Sequence, residues 1–158
     1  MSEPRTPAPP TGLRRHLFRL PIHLYRLGLG GLMGQRFVLI HHVGRRSRLP
    51  REVVVEVVAR EPDTGAVVVA SGFGPRSDWY QNLLATPDVE IELGRTRMSV
   101  HAEVLETDDA GQRMVGYARR HPRAARSLSG LMGYEVDGTE EGYRRVGASL
   151  PMVRLRPR

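Results

Sequence analysis

Two valine-rich runs joined by a short, arginine-laden turn constrain this chain more than any other feature. Arg36-Phe-Val-Leu-Ile-His-His-Val43 precedes the turn, and Glu52-Val-Val-Val-Glu-Val-Val-Ala59 follows it. Runs so rich in β-branched residues predict strands. The intervening Gly44-Arg45-Arg46-Ser47-Arg48-Leu49-Pro50-Arg51 is short enough to demand an antiparallel return. It also crowds Arg45, Arg46, Arg48 and Arg51 onto one hairpin. Their guanidinium groups repel one another unless an anion lies among them, and their planar donor forks match phosphate or carboxylate oxygens. A solvated basic turn is the plain alternative for an isolated cluster of this kind.

The β pattern continues. Strands are expected near 37–43, 52–60 and 66–71, with Glu61-Pro-Asp-Thr-Gly65 as the turn between the last two. A second hairpin is expected from Val89–Leu93 and Arg97–Leu105 around Gly94-Arg95, with Met98, Val100, Ala102 and Val104 on a buried face. A closing strand is expected over Pro151–Leu155. Between them lie a short helix, Trp79–Ala85, capped by Ser77 or Asp78, and a helix from Thr107 or Asp108 toward His121. Pro122 starts another helix with a stripe of Ala125, Leu128, Leu131 and Met132, which Gly133 can close. A last short helix is expected over Thr139–Val146. Short antiparallel connections and six strands make a small closed barrel the economical way to remove sheet edges. The class is α+β, mainly β.

At 158 residues the chain suits one domain. Residues 1–12 read as a disordered, proline-rich lead, 13–35 as an amphipathic helical segment, and 36–158 as the barrel domain. Leu13, Leu17, Leu20, Leu24 and Leu27 recur at helical spacing with arginines off the stripe, which suits packing on the domain or, in a second reading, peripheral contact with lipid. Gly28–Gly34 follows no strand, so it is not a dinucleotide fingerprint. All 24 basic residues are arginine and the net charge is +7, which favours anionic partners. The chain has no cysteine, hence no disulfide framework or thiolate nucleophile. The histidines show no metal-ligand spacing, no hydrolase elbow is present, and too few aromatics interleave the arginines for a nucleic-acid stacking surface. No signal-peptide pattern and no membrane-length apolar run appear, so the expected location is cytoplasmic, with membrane contact limited to the N-terminal segment.

Two further segments change the meaning of the arginine hairpin. Ala70-Ser71-Gly72-Phe73-Gly74 ends a strand in a glycine loop. Trp79-Tyr80-Gln81-Asn82-Leu83 follows on a helix and holds the chain's one tryptophan and one asparagine. Taken with Val43–Ser47, Pro50-Arg51, Pro87-Asp88-Val89 and Leu150–Val153, these segments resemble the deazaflavin-dependent nitroreductase family of the split β-barrel, flavin-reductase-like superfamily, over about Arg36 to Leu155.

The resemblance implies a six-stranded antiparallel split barrel that binds the deazaflavin coenzyme F-420 through its phosphate and oligoglutamate tail. The implied coenzyme contacts are Gly44, Arg45, Arg46, Ser47, Arg51, Val54, Ala70, Ser71, Gly72, Arg76, Trp79 and Asn82. Gly72 stands where relatives often carry lysine, and Arg76 is expected to supply that charge. Trp79 and Asn82 are read first as structural. Val54 and Glu56 depart from the proline and tyrosine of the family's best-known branch. The implied reaction is hydride transfer from reduced deazaflavin to a hydrophobic, electron-poor acceptor: a quinone, nitroaromatic or activated alkene. Ser71 is the first candidate for a polarising contact and Tyr134 and Tyr143 are candidates in the acceptor pocket, with Ser71, either tyrosine or bulk water as the source of the proton. A flavin mononucleotide reductase and a non-enzymatic ligand binder remain as alternatives, and monomer or homodimer is left open.

Overall fold

The computed structural model describes residues 35–158. The expectations for the lead, the leucine stripe and Gly28–Gly34 lie outside the described residues. The described residues form six strands, β1 (Phe37–Val43), β2 (Pro50–Glu61), β3 (Ala66–Ala70), β4 (Asp88–Leu93), β5 (Thr96–Val104) and β6 (Met152–Pro157), with one helix between β3 and β4 and three between β5 and β6. The helices are α1 (Asp78–Ala85), α2 (Thr107–Arg120), α3 (Pro122–Leu131) and α4 (Glu140–Ser149). The strands close in the order β1-β2-β3-β6-β5-β4, every pair antiparallel. Among the described strands no sheet edge is left for another chain to extend.

Strand alternation sorts the side chains into two cores. Val38, Ile40, Val67, Val69, Ile91, Val100 and Leu155 fill the barrel. Val58, Ala59, Val68 and Met152 face outward and pack under α2, α3 and α4. The change of face on β2 comes from a bulge: the register with β3 slips between Val57 and Ala59. An extra residue in one strand turns the side chains that follow it. Val57 therefore points into the barrel, whereas both Val58 and Ala59 join the helical side.

α2 and α4 meet closely. A Cβ on Gly147 would lie 2.5 Å from the Met114 Cβ and 2.6 Å from the Ala110 carbonyl oxygen, so only glycine permits this approach. Gly133, with φ at 87°, closes α3. The Tyr134 N–H donates to the Ser129 carbonyl and the Gly133 N–H to the Gly130 carbonyl, which satisfies the helix end.

Several local expectations are corrected. Val104 is 50% exposed; it lies at the end of β5 and outside the barrel cluster that takes Met98, Val100 and Ala102. Ser77 precedes α1 and Glu106 precedes α2, but neither side chain makes a capping bond. Thr139 does cap α4, accepting from the Gly142 N–H at 3.1 Å. Among the described residues no helix is long and apolar enough to cross a membrane.

Candidate active site: a cleft with a cationic end and an apolar end

A cleft of about 770 Å³ runs along β2 and is lined by residues of both parities of the strand, Val53 and Val55 as well as Val54, Glu56 and Val58. Arg51 and Val58, both on its wall, are seven positions apart on one strand and so roughly 23 Å apart. The two ends differ chemically. One holds Arg45, Arg46 and Arg51 beside Trp79; the other is walled by Val58, Met114, Leu128, Met132 and Leu150.

The cationic end is built by the hairpin and α1 together. The turn closes through Gly44 N–H to the Leu49 carbonyl and Arg48 N–H to the Gly44 carbonyl, both at 2.9 Å. Asn82, buried on α1, pins it in place. Its Oδ1 accepts from the Arg45 backbone N–H and from Arg45 Nη1, each at 3.0 Å. Its Nδ2 donates to His42 Nδ1 at 3.1 Å. The His42 imidazole is held neutral, its pKa pushed down to about 4 by burial first and by the Arg51 charge second.

The expected anion deficit is corrected for Arg45, which pairs with Asp78 at 3.1 Å. Among the described residues no carboxylate forms an ion pair with Arg46, Arg48 or Arg51. Arg46 and Arg51 line the cleft, while exposed Arg48 does not. Two cleft cations without carboxylate partners among the described residues are a donor set that fits phosphate or carboxylate groups. The backbone at Gly72 adds a close wall, since a Cβ there would come within 3.2 Å of Met132 Sδ.

Of the residues expected to bind coenzyme, Gly44, Arg45, Arg46, Ser47, Arg51, Val54, Ala70, Gly72, Trp79 and Asn82 all border the cleft. Ser71 and Arg76 do not. Ser71 is 0% exposed and its hydroxyl donates to the Gly74 carbonyl at 2.6 Å. Strand alternation sends Ala70 toward the cleft and turns Ser71 inward, where it holds the glycine loop shut. Arg76 is exposed beyond that loop.

The candidate catalytic tyrosines are also displaced from the expected place. Tyr143 is buried in the helical core and half-buried Tyr134 packs against the same cluster; neither borders the cleft. Tyr143, Val146, Gly147 and Leu150 recur at helical spacing, so the sequence already carried the signal of a packed face.

Sequence reasoning missed Tyr117 as a cleft residue and took Glu56 only as a departure from a family pattern. The Tyr117 hydroxyl donates to Glu56 Oε1 at 2.8 Å, and Arg36 Nε donates to the same oxygen at 3.0 Å. Burial, then the Glu56 carboxylate, raises the Tyr117 pKa far above its ordinary value. The partners are 61 positions apart, and local periodicity carries no signal of such a contact.

The family described as F420H(2)-dependent quinone reductase matches residues 18–129. An F420H(2)-dependent quinone reductase of Mycobacterium tuberculosis (strain ATCC 25618 / H37Rv) is 37% identical over 108 residues, covering 61% of this chain and 71% of the relative. Among solved structures, an F420-H2 dependent reductase (FDR-A) superposes with a TM-score of 0.53 at 18% identity, covering 78% of this chain and 96% of the other. A pyridoxamine 5'-phosphate oxidase-related, FMN binding protein of Nostoc punctiforme PCC 73102 gives 0.50 at 16% identity, covering 93% and 81%. These two structures share the barrel with this chain, and the barrel is common to deazaflavin and flavin proteins alike. The sequence match is what separates them: this chain belongs to the F420H(2)-dependent quinone reductase family.

Proposed function

We propose that the chain is an oxidoreductase that passes a hydride from reduced deazaflavin coenzyme F-420 to a quinone. The observation that carries this reading is the joining, in one cleft, of cations without carboxylate partners to an apolar chamber. A phosphate-bearing, polycarboxylate coenzyme suits the first, and a hydrophobic acceptor suits the second.

When bound, the coenzyme supplies the hydride, and the protein's part is placement. Arg46 and Arg51, with Arg45 held by Asn82, grip the anionic tail. Trp79 and the backbone at Gly72 border the space left for a flat ring. Val58, Met114, Leu128 and Met132 exclude water around the acceptor, which strengthens the electrostatic contacts made there. Tyr117 is a poor acid, because burial and Glu56 both hold its proton. Ser71 spends its hydroxyl on Gly74. The proton that follows the hydride therefore comes from water at the open side of the cleft.

The test is an anaerobic assay with reduced deazaflavin and menadione, set against reduced nicotinamide and reduced flavin mononucleotide as donors. Oxidation of deazaflavin alone supports the proposal. Preference for flavin mononucleotide would move the chain to the flavin reductases.

A further inference from the structure

The apolar half of the cleft contains one feature that a plain hydrophobic quinone does not explain. Glu56 borders it, with a side chain 19% exposed. Oε1 is fully engaged by Tyr117 Oη–H at 2.8 Å and Arg36 Nε–H at 3.0 Å. Oε2 has no partner among the described residues. Two donors on one oxygen fix the carboxylate plane, so the second oxygen is presented in a set direction and cannot rotate away without breaking both bonds. A carboxylate is acceptor-only. A desolvated acceptor left without a donor costs binding free energy, whereas a donor placed against it forms a charge-assisted bond.

An unsubstituted or alkylated quinone brings only carbonyl acceptors, which Oε2 repels. Glu56 is five positions from Arg51 on β2, roughly 17 Å along the strand, and so lies toward the acceptor chamber rather than at the anion-binding end. We infer that Glu56 selects acceptors carrying a hydrogen-bond donor on the quinone ring, an amino or un-ionised hydroxyl substituent. Glu56 is a specificity-determining residue, with Tyr117 and Arg36 as the residues that position it. The inference rests on the quinone reading proposed above.

The probes are 2-amino-1,4-naphthoquinone and 2-methyl-1,4-naphthoquinone, which are nearly equal in size and differ in the N–H donors. Binding to the full chain without coenzyme is read from quenching of Trp79, the one tryptophan, which borders the cleft. The aminoquinone is expected to bind about tenfold tighter or more, the scale of a charge-assisted hydrogen bond. Glu56→Gln keeps an acceptor for Tyr117 and removes the charge, and should bring the ratio close to one. The wild-type ratio stands as a test even if the variant proves unstable. Equal binding of the two probes by the wild type, or an undiminished preference in Glu56→Gln, overturns the role of Glu56 while leaving the quinone reading intact. Failure of both probes to bind overturns both.

Discussion

Removing the Asn82 side chain should cost more stability than its size suggests. Asn82→Ala deletes three hydrogen bonds at once: to the Arg45 N–H, to Arg45 Nη1 and to His42 Nδ1. Two neutral bonds contribute about 1 kcal/mol each and the charged one about 1.5–3 kcal/mol. The Arg45 guanidinium keeps Asp78 and solvent, which reduces its share. The Arg45 N–H and the buried His42 Nδ1 lose their only partners among the described residues, which works the other way. The net expectation is about 2–4 kcal/mol, or a Tm lower by about 2–4 °C for each kcal/mol in a chain of this length. Urea unfolding should show a lower midpoint with unchanged slope. Deazaflavin affinity should fall as well, because the turn that presents Arg45 and Arg46 is no longer pinned to α1. A variant within about 0.5 kcal/mol of the wild type, the range of ordinary surface changes, would refute the claim that Asn82 is the pin.

Other perturbations test separate parts of the account. The His42 pKa is lowered from 6.5 to about 4, so between those values the unfolded state binds more protons. The neutral ring's stabilisation is complete above pH 6.5 and is lost as pH falls toward 4, by about 3 kcal/mol in all; a denaturation series that also follows His42 by NMR checks both the window and the residue. Arg46→Ala with Arg51→Ala should weaken deazaflavin binding by roughly 1–3 kcal/mol per lost charged bond and flatten its salt dependence, with little change in Tm. Unchanged binding in fluorescence titrations would remove these two from the coenzyme site. Gly147→Ala forces a Cβ to within 2.5 Å of Met114 and 2.6 Å of a backbone carbonyl, and should cost more than about 2 kcal/mol by thermal melting. Liposome co-sedimentation of the full chain against one beginning at Gln35 tests lipid contact by the N-terminal segment, and equal pelleting would leave only packing.

The strands were legible because burial on one or both faces of the sheet shows in the hydrophobic pattern: β3 is Ala-Val-Val-Val-Ala, with both faces buried along Ala66–Val69, and β4 alternates Val89, Ile91 and Leu93 inward. The cationic end was legible too, since its parts lie in short motifs and two of its residues are the only ones of their type. The apolar end was not. Met114 and Tyr117 reach the cleft from α2, whose helical stripe reads simply as core. Glu56 acquires a role only when the barrel brings Arg36 and Tyr117 to one of its oxygens. Ser71 was misplaced because a loop's composition does not tell which way a strand's last side chain turns, and one residue of parity separates the cleft from the interior.

The most direct test of the central claim is single-turnover oxidation of protein-bound reduced deazaflavin on addition of menadione, followed anaerobically by absorbance. Prompt, saturable oxidation is expected of the wild type, and loss of coenzyme binding of the Arg46→Ala, Arg51→Ala double variant at moderate salt. Tight coenzyme binding with no oxidation by any quinone would contradict it.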